Sequence, residues 1–378
     1  MHISLPGKEH PRRAIPGTRK SMIFLVAAFL CSTIGLVVWV GVVWGSSIDE
    51  DSTSNIILQH RSEPRRRNLK IAFAGNSIIF IHDGPGLLVA MLEASGDFDT
   101  VEYDACLSPG ASLVTLWRDY TNDPMISGGC FPQFSTTKNG TMTMERLLVG
   151  DENDRSQHQL QQRQQPKKWD FVIMNDQTRA PALIGSRHAS LRLLKSTYAP
   201  KLYQAGATPI FLQTAAYRTE KARTAIGMGS FESFTQKLTE GYHDYANILT
   251  EYFALENRAR KQQALPKHSY PSEAFIAPVG SAYAYLQHNP GKLNLFDKLY
   301  LNDDVHPSPY GTWLQCCILY STMSGKAPPP YSTKFWNSKS GRDRTHYPIP
   351  SSDEGRALRD VAWQSVRIMW RASKGVTT

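Results

Sequence analysis

From residue 69 onward, short apolar runs alternate with longer amphipathic ones. Residues 69–75 (LKIAFAG) read as a strand buried on both faces, and residues 84–95 as a helix with Leu87, Leu88, Met91 and Leu92 on one side. Residues 101–106 suggest a second strand and 111–120 a helix. Residues 169–174 (WDFVIM) form a third strand, with a helix over 187–204 after it. Residues 208–214 (TPIFLQT) are a fourth strand, followed by a long helix over 231–261. Residues 274–279 form a short fifth strand that leads into a helix ending near 287. Two further helices cover 309–324 and 353–373, the second with Leu358, Val361, Ala362, Val366 and Met369 on one face.

Strands that alternate with helices imply a parallel sheet with helices on both faces, so the fold class is a three-layer α/β/α sandwich with a mostly parallel central sheet. One domain over residues 69–378 accounts for the whole pattern, including a C-terminal helical extension set off by the Pro-rich stretch 327–330. Residues 151–168, with their glutamine cluster, read as a solvated insertion rather than a boundary. No internal repeat appears.

Ahead of that domain, residues 22–44 contain no charged side chain and are rich in Val, Leu, Ile, Phe and Trp. At about 1.5 Å per residue, this stretch crosses a hydrocarbon core of about 30 Å with some tilt. It is longer than the usual apolar region of a signal peptide, so residues 22–45 are read as an uncleaved signal anchor. Cleavage near Gly45-Ser46-Ser47 is the rival reading. Lys8, Arg12, Arg13, Arg19 and Lys20 precede the span, and Asp49, Glu50 and Asp51 follow it. The positive flank stays cytoplasmic, giving a basic cytoplasmic tail (1–21), a stem (46–68) and a type II, single-pass protein. Its domain then lies in the secretory lumen or at the cell surface, and the expected partner of residues 22–45 is the lipid bilayer.

Charge sharpens this picture. The chain has 42 Lys and Arg against 33 Asp and Glu, net +9. Residues 1–21 contribute +4, residues 61–70 +4 and residues 334–378 +5, whereas residues 71–333 hold 23 basic and 24 acidic residues. The body is therefore neutral, and no nucleic-acid partner is expected. Beyond Cys31 in the span, Cys106, Cys130, Cys316 and Cys317 remain. Cys106 with Cys130 would close a loop, but spacing does not choose among the three pairings. These spacings fit no zinc motif, so no metal and no cofactor are expected. Asn139 heads the one glycosylation sequon, Asn139-Gly140-Thr141.

Ligands of open α/β sheets gather at the carboxyl ends of the strands. After the first strand comes Ala74-Gly75-Asn76-Ser77, which sets a hydroxyl beside backbone N–H groups able to receive an oxyanion. Taken alone, Asn76-Ser77 is equally a helix cap. Without Gly-x-Ser-x-Gly, the nucleophile elbow of ordinary α/β-hydrolases is absent. Near the other end stands Asn302-Asp303-Asp304-Val305-His306-Pro307. Asp303 and His306 are spaced so that the carboxylate takes one imidazole nitrogen and leaves the other for a nucleophile, although the same residues also suit a turn before a helix. His82-Asp83 follows Ser77 closely, but a loop histidine beside an acid is more often structural.

A strand-end serine early in the domain and Asp-x-x-His late in it resemble the SGNH (GDSL-like) hydrolases over about residues 69–320. The resemblance implies an SGNH/flavodoxin-like sandwich and a Ser-His-Asp triad of Ser77, His306 and Asp303. The first block has Asn76 where the family usually has Asp. In the second block, Gly110 of Ser108-Pro109-Gly110 would donate its N–H to the oxyanion. The third block departs most. The usual Gly-x-Asn-Asp is replaced by Asn175-Asp176-Gln177-Thr178, leaving Asn175 first and Gln177 second as the side-chain amide of the oxyanion hole. The activity implied is that of a membrane-anchored serine esterase hydrolysing or transferring acyl groups, with an ester small molecule or a glycan O-acetyl ester as substrate. The alternative is a catalytically inactive SGNH-like carbohydrate-binding or scaffold protein. A glycosyltransferase would share the topology, but the acidic cluster Asn302-Asp303-Asp304 is not an Asp-x-Asp metal motif. The pattern assigns no oligomeric state.

Overall fold

The structure is a computed structural model, and it describes residues 68–117, 130, 143–149, 169–263, 270–336 and 347–373. The anchor at 22–45, the tail, the stem, the sequon at Asn139 and the glutamine-rich insertion lie outside the described residues. Five parallel strands form one sheet in the order β2-β1-β3-β4-β5: β1 Asn68–Gly75, β2 Thr100–Leu107, β3 Phe171–Met174, β4 Thr208–Leu212 and β5 Phe275–Ala277. The first strand is interior to the sheet, paired in parallel with β2 (Gly75 opposite Leu107) and with β3 (Ala74 opposite Met174). Where such a strand is covered on both faces it must be apolar, and this explains the unbroken run in residues 71–75 that follows the exposed Lys70.

The helices, in chain order, are α1 Ser77–Phe80, α2 Gly84–Ala94, α3 Leu113–Trp117, α4 Met144–Val149, α5 Ile184–Leu193, α6 Ala199–Ala205, α7 Glu220–Thr224, α8 Phe231–Gln262, α9 Val279–His288, α10 Leu295–Lys298, α11 Pro309–Ser324 and α12 Ser352–Ser373. Alternate β1 side chains serve two cores. Ile71 and Phe73 meet Leu87, Leu88, Met91 and the helices α9, α11 and α12 on one face of the sheet. Ala72 and Ala74 meet Leu147, Tyr198, Leu202, Tyr245 and Phe253 on the other. This is the expected three-layer sandwich. Almost every residue of α11 is buried because α12 closes over it, with Leu358, Ala362, Val366 and Trp370 forming the seam. A helix apolar on all sides needs such a cover.

The expected helix over 187–204 begins earlier, at Ile184, and passes through a π turn at Leu194–Tyr198 before Pro200 in α6. Proline lacks the N–H that an unbroken helix would use there. Cys106 is disulfide-bonded to Cys130, and Cys316 and Cys317 are buried thiols. Among the described residues, one helical run, Ser77–Ala94, is long and apolar enough to cross a membrane. Half of it is packed within the domain's own core.

Candidate active site

The chain leaves β1 through Gly75, and no larger residue fits there. A Cβ on Gly75 would lie 1.8 Å from Asn175 Oδ1. Asn76 then caps α1 from an extended conformation, its Oδ1 accepting the Ile78 N–H at 3.1 Å. The same side chain ties three strand ends together. Its Nδ2 donates to the carbonyls of Ala111 (2.9 Å) and Asp176 (3.1 Å), beyond β2 and β3 respectively. Its Oδ1 also accepts from Asn175 Nδ2 at 2.9 Å. A carboxylate could not donate to those two carbonyls, so this environment selects Asn over the Asp of the resembled motif. Ser77, held at the first position of α1, has no acceptor for its backbone N–H among the described residues.

The turn between α10 and α11 brings the partner groups. Ser77 Oγ lies 2.8 Å from His306 Nε2, across 229 positions of sequence. On the other side of the ring, Nδ1 is 2.5 Å from Asp303 Oδ2. With Asp303 accepting Nδ1–H, Nε2 is left as the acceptor of the serine hydroxyl. Asp303 Oδ1 also accepts the N–H groups of Val305 (3.0 Å) and His306 (2.9 Å). Partial burial pushes the Asp303 carboxyl upward, but these donors together with the imidazole hold it below the ordinary carboxylate range.

The turn itself is clamped from outside. Asp304 sits in the left-handed region (φ 65°), which carries a steric cost for a residue with a Cβ. Its backbone and carboxylate are gripped by the loop after β4. Arg218 N–H donates to the Asp304 carbonyl (2.9 Å), and Arg218 Nε and Nη2 reach Asp304 Oδ1 at 2.8 and 2.6 Å. Thr219 Oγ1 donates to Asp304 Oδ2 at 2.7 Å. Below the turn, Leu301 N–H donates to the His306 carbonyl, and Ser308 caps α11. From the sequence, Asp304 stood out only as part of an acidic cluster, and nothing there linked it to Arg218.

The remaining candidates divide. Gly110 is exposed and left-handed (φ 65°), the conformation glycine adopts without cost, and its loop is fastened next to Ser77 through the Asn76–Ala111 bond. Asn175, the first-named amide, is fully buried. Its Nδ2 donates to Asn76 Oδ1 and the Asp176 carbonyl, and its Oδ1 accepts the Asn76 N–H. The amide is turned inward and has no proton left for an oxyanion, which corrects that expectation. Gln177 is half-buried and uses only its Oε1, which accepts the Arg179 N–H at 3.1 Å, so its NH₂ is unspent among the described residues.

Asp176, between them, is a buried carboxylate with four donors: the N–H groups of Leu113 and Gln177 and the hydroxyls of Ser190 and Tyr245. Burial raises its pKa, against the pull of those donors. It fastens α3, α5 and α8 to the end of β3. His82 is left-handed (φ 55°) and packs edge-on against Tyr347. Burial lowers its pKa to about 4, against a hydrogen bond to Pro307 that pulls upward. It therefore sits neutral under the His306 turn. Asp83 caps α2 through Gly86 N–H.

No protein-family model matches the chain, and no curated protein matches it. Among solved structures it is similar to one described as "a putative SGNH hydrolase from Slackia heliotrinireducens", with 21% identity over 68% of this chain and 99% of that one and a TM-score of 0.41. It is also similar to a DUF4886 family protein from Bacteroides uniformis ATCC 8492, with 14% identity over 79% and 95% of the two chains and a TM-score of 0.46. A third is phospholipase A1 from Streptomyces albidoflavus NA297, with 12% identity over 67% and 98% and a TM-score of 0.28.

Proposed function

We propose that the chain is a serine esterase of SGNH type, with Ser77 as nucleophile, His306 as general base and acid, and Asp303 orienting the imidazole. The single observation that carries this reading is the hydrogen-bonded relay from Ser77 Oγ through His306 to Asp303. His306 Nε2 takes the hydroxyl proton as Ser77 Oγ attacks the ester carbonyl carbon. Asp303 stabilises the imidazolium that forms.

The carbonyl oxygen then carries the charge. The Ser77 N–H, the Gly110 N–H and the Gln177 amide lie on three neighbouring strand ends and are the donors assigned to it. Collapse of the tetrahedral intermediate expels the alcohol, which receives the proton from His306. A water, activated by the same imidazole, then releases the acid from Ser77. An acceptor hydroxyl in place of water would turn hydrolysis into acyl transfer.

O-acetyl esters of carbohydrates are the substrate class that suits a domain held outside the cytoplasm. Residues 22–45 would anchor it as a type II protein of the secretory pathway or cell surface, and Asn139 would carry a glycan. The Cys106–Cys130 disulfide supports an oxidising compartment. The reading is tested by hydrolysis of 4-nitrophenyl acetate. The full chain should turn it over, and Ser77→Ala and His306→Ala should each lose at least about a thousandfold in kcat. Equal turnover in folded Ser77→Ala protein would remove Ser77 as the nucleophile, and no turnover above the uncatalysed rate by the unmutated chain would leave the non-catalytic, glycan-binding alternative.

A further inference from the structure

Four arginines stand at the carboxyl edge of β3 and β4, and the guanidinium groups of three are held by protein acceptors. Arg187 binds the Pro181 carbonyl and Asp244, Arg218 binds Asp304, and Arg223 binds the carbonyls of Tyr217, Arg218 and Gly229. Arg179 differs. Only its backbone is used, donating N–H to Gln177 Oε1, and its half-buried guanidinium has no hydrogen-bond or ion-pair partner among the described residues. Beside it on the next loop is Tyr217, within electrostatic reach of both Arg179 and Asp303. The Tyr217 ring is fixed edge-on against Phe234 at 5.4 Å, and its hydroxyl also lacks a partner among the described residues.

The acids nearby cannot serve Arg179. Asp303 is occupied at both oxygens, by the two N–H groups and the imidazole, Asp304 is gripped by Arg218 and Thr219, and Asp176 is sealed in the core with four donors. Three unspent donor groups therefore face the same edge: the Gln177 amide, the Arg179 fork and the Tyr217 hydroxyl. Tyr217 lies toward Asp303, on the Nδ1 side of the imidazole, and Arg179 lies toward Tyr217. A planar guanidinium without a protein partner matches a carboxylate in a two-point contact, and a neutral hydroxyl would use it poorly.

Resting on the esterase reading above, we propose that the substrate carries a carboxylate, received by Arg179 with Tyr217 beside it. The substrate class is thereby narrowed from acetylated carbohydrates in general to acetylated sugar acids.

The test uses the full-length chain and two matched pairs of acetylated methyl glycosides, glucuronoside against glucoside and galacturonoside against galactoside. Within each pair, a carboxylate replaces the hydroxymethyl group. Binding is measured to the Ser77→Ala protein, and labelling of unmutated protein by a fluorophosphonate reports the serine separately. At least one sugar acid should bind about 10–100-fold more tightly than its neutral partner, the worth of a charge-assisted contact. Adding Arg179→Ala should bring that ratio close to one, and Arg179→Lys should restore part of it. Equal binding within both pairs, or a ratio that survives Arg179→Ala, overturns the inference. If the serine is labelled while the ratio is one, the esterase reading stands and only the anion site falls. If the ratio depends on Arg179 but no serine is labelled, the anion site stands and the esterase reading falls.

Discussion

Asn76, Asn175 and Gln177 are chemically similar side chains with three different jobs. Asn76 spends its whole amide on joining the ends of β1, β2 and β3, and Asn175 buttresses it from beneath. Gln177 alone retains donor capacity. Substitution should separate these roles. Gln177→Ala should lower kcat about a hundredfold, the usual cost of one oxyanion donor, with the unfolding midpoint unchanged. Asn175→Ala should instead lower stability by about 2–3 kcal/mol, since it strands the Asn76 N–H and leaves a cavity against Gly75. Steady-state kinetics and urea denaturation on the two variants check this. Matching stability losses in both, or a kcat loss confined to Asn175→Ala, would return the amide donor to Asn175. A sequence cannot make this distinction, because which way an amide faces depends on partners a hundred positions away.

At the scale of elements, the break between α1 and α2 is built from two consecutive left-handed residues, His82 and Asp83. A histidine buried there couples stability to pH. Its native pKa is about 4, against 6.5 when exposed. Between those values the unfolded chain takes up a proton that the native state refuses. Stability is therefore full above pH 6.5 and falls as pH drops toward 4, by about 2–3 kcal/mol in all. His82→Asn tolerates the left-handed backbone and does not titrate. The difference between its stability–pH curve and that of the unmutated chain should show a slope confined to this window, in urea titrations from pH 7 to 4; parallel curves would contradict the assignment. Glu354 acts lower down. Burial raises its pKa, but Lys298, Ser351 and Tyr310 bring it down to about 2, so its contribution is lost only below pH 4.5.

The long elements were readable from period and length alone. Apart from fraying, β1, α2, α8, α11 and α12 begin and end where the apolar pattern does. The short helices α1, α7 and α10 were not, because four or five residues hold too little periodicity and owe their form to packing and caps. The Arg218–Asp304 clamp was invisible for a related reason, as it joins two loops 86 residues apart that share no pattern.

For the molecule as a whole, the described domain is a layered scaffold that presents four strand ends and one incoming turn to a common edge. Packing density fixes the strand ends, and the polar ties of Asn76, Asp176 and Arg218 fix the loops that leave them. Over residues 71–333 basic and acidic residues nearly balance, 23 against 24, and the basic excess lies in the flanking segments. The account turns on Ser77 being activated by His306, and peptide mapping by tandem mass spectrometry after fluorophosphonate treatment of the folded, full-length chain tests this most directly. One adduct should appear, on the peptide containing Ser77, at a rate that collapses in His306→Ala. An adduct on another residue, or none on folded protein, would contradict the account.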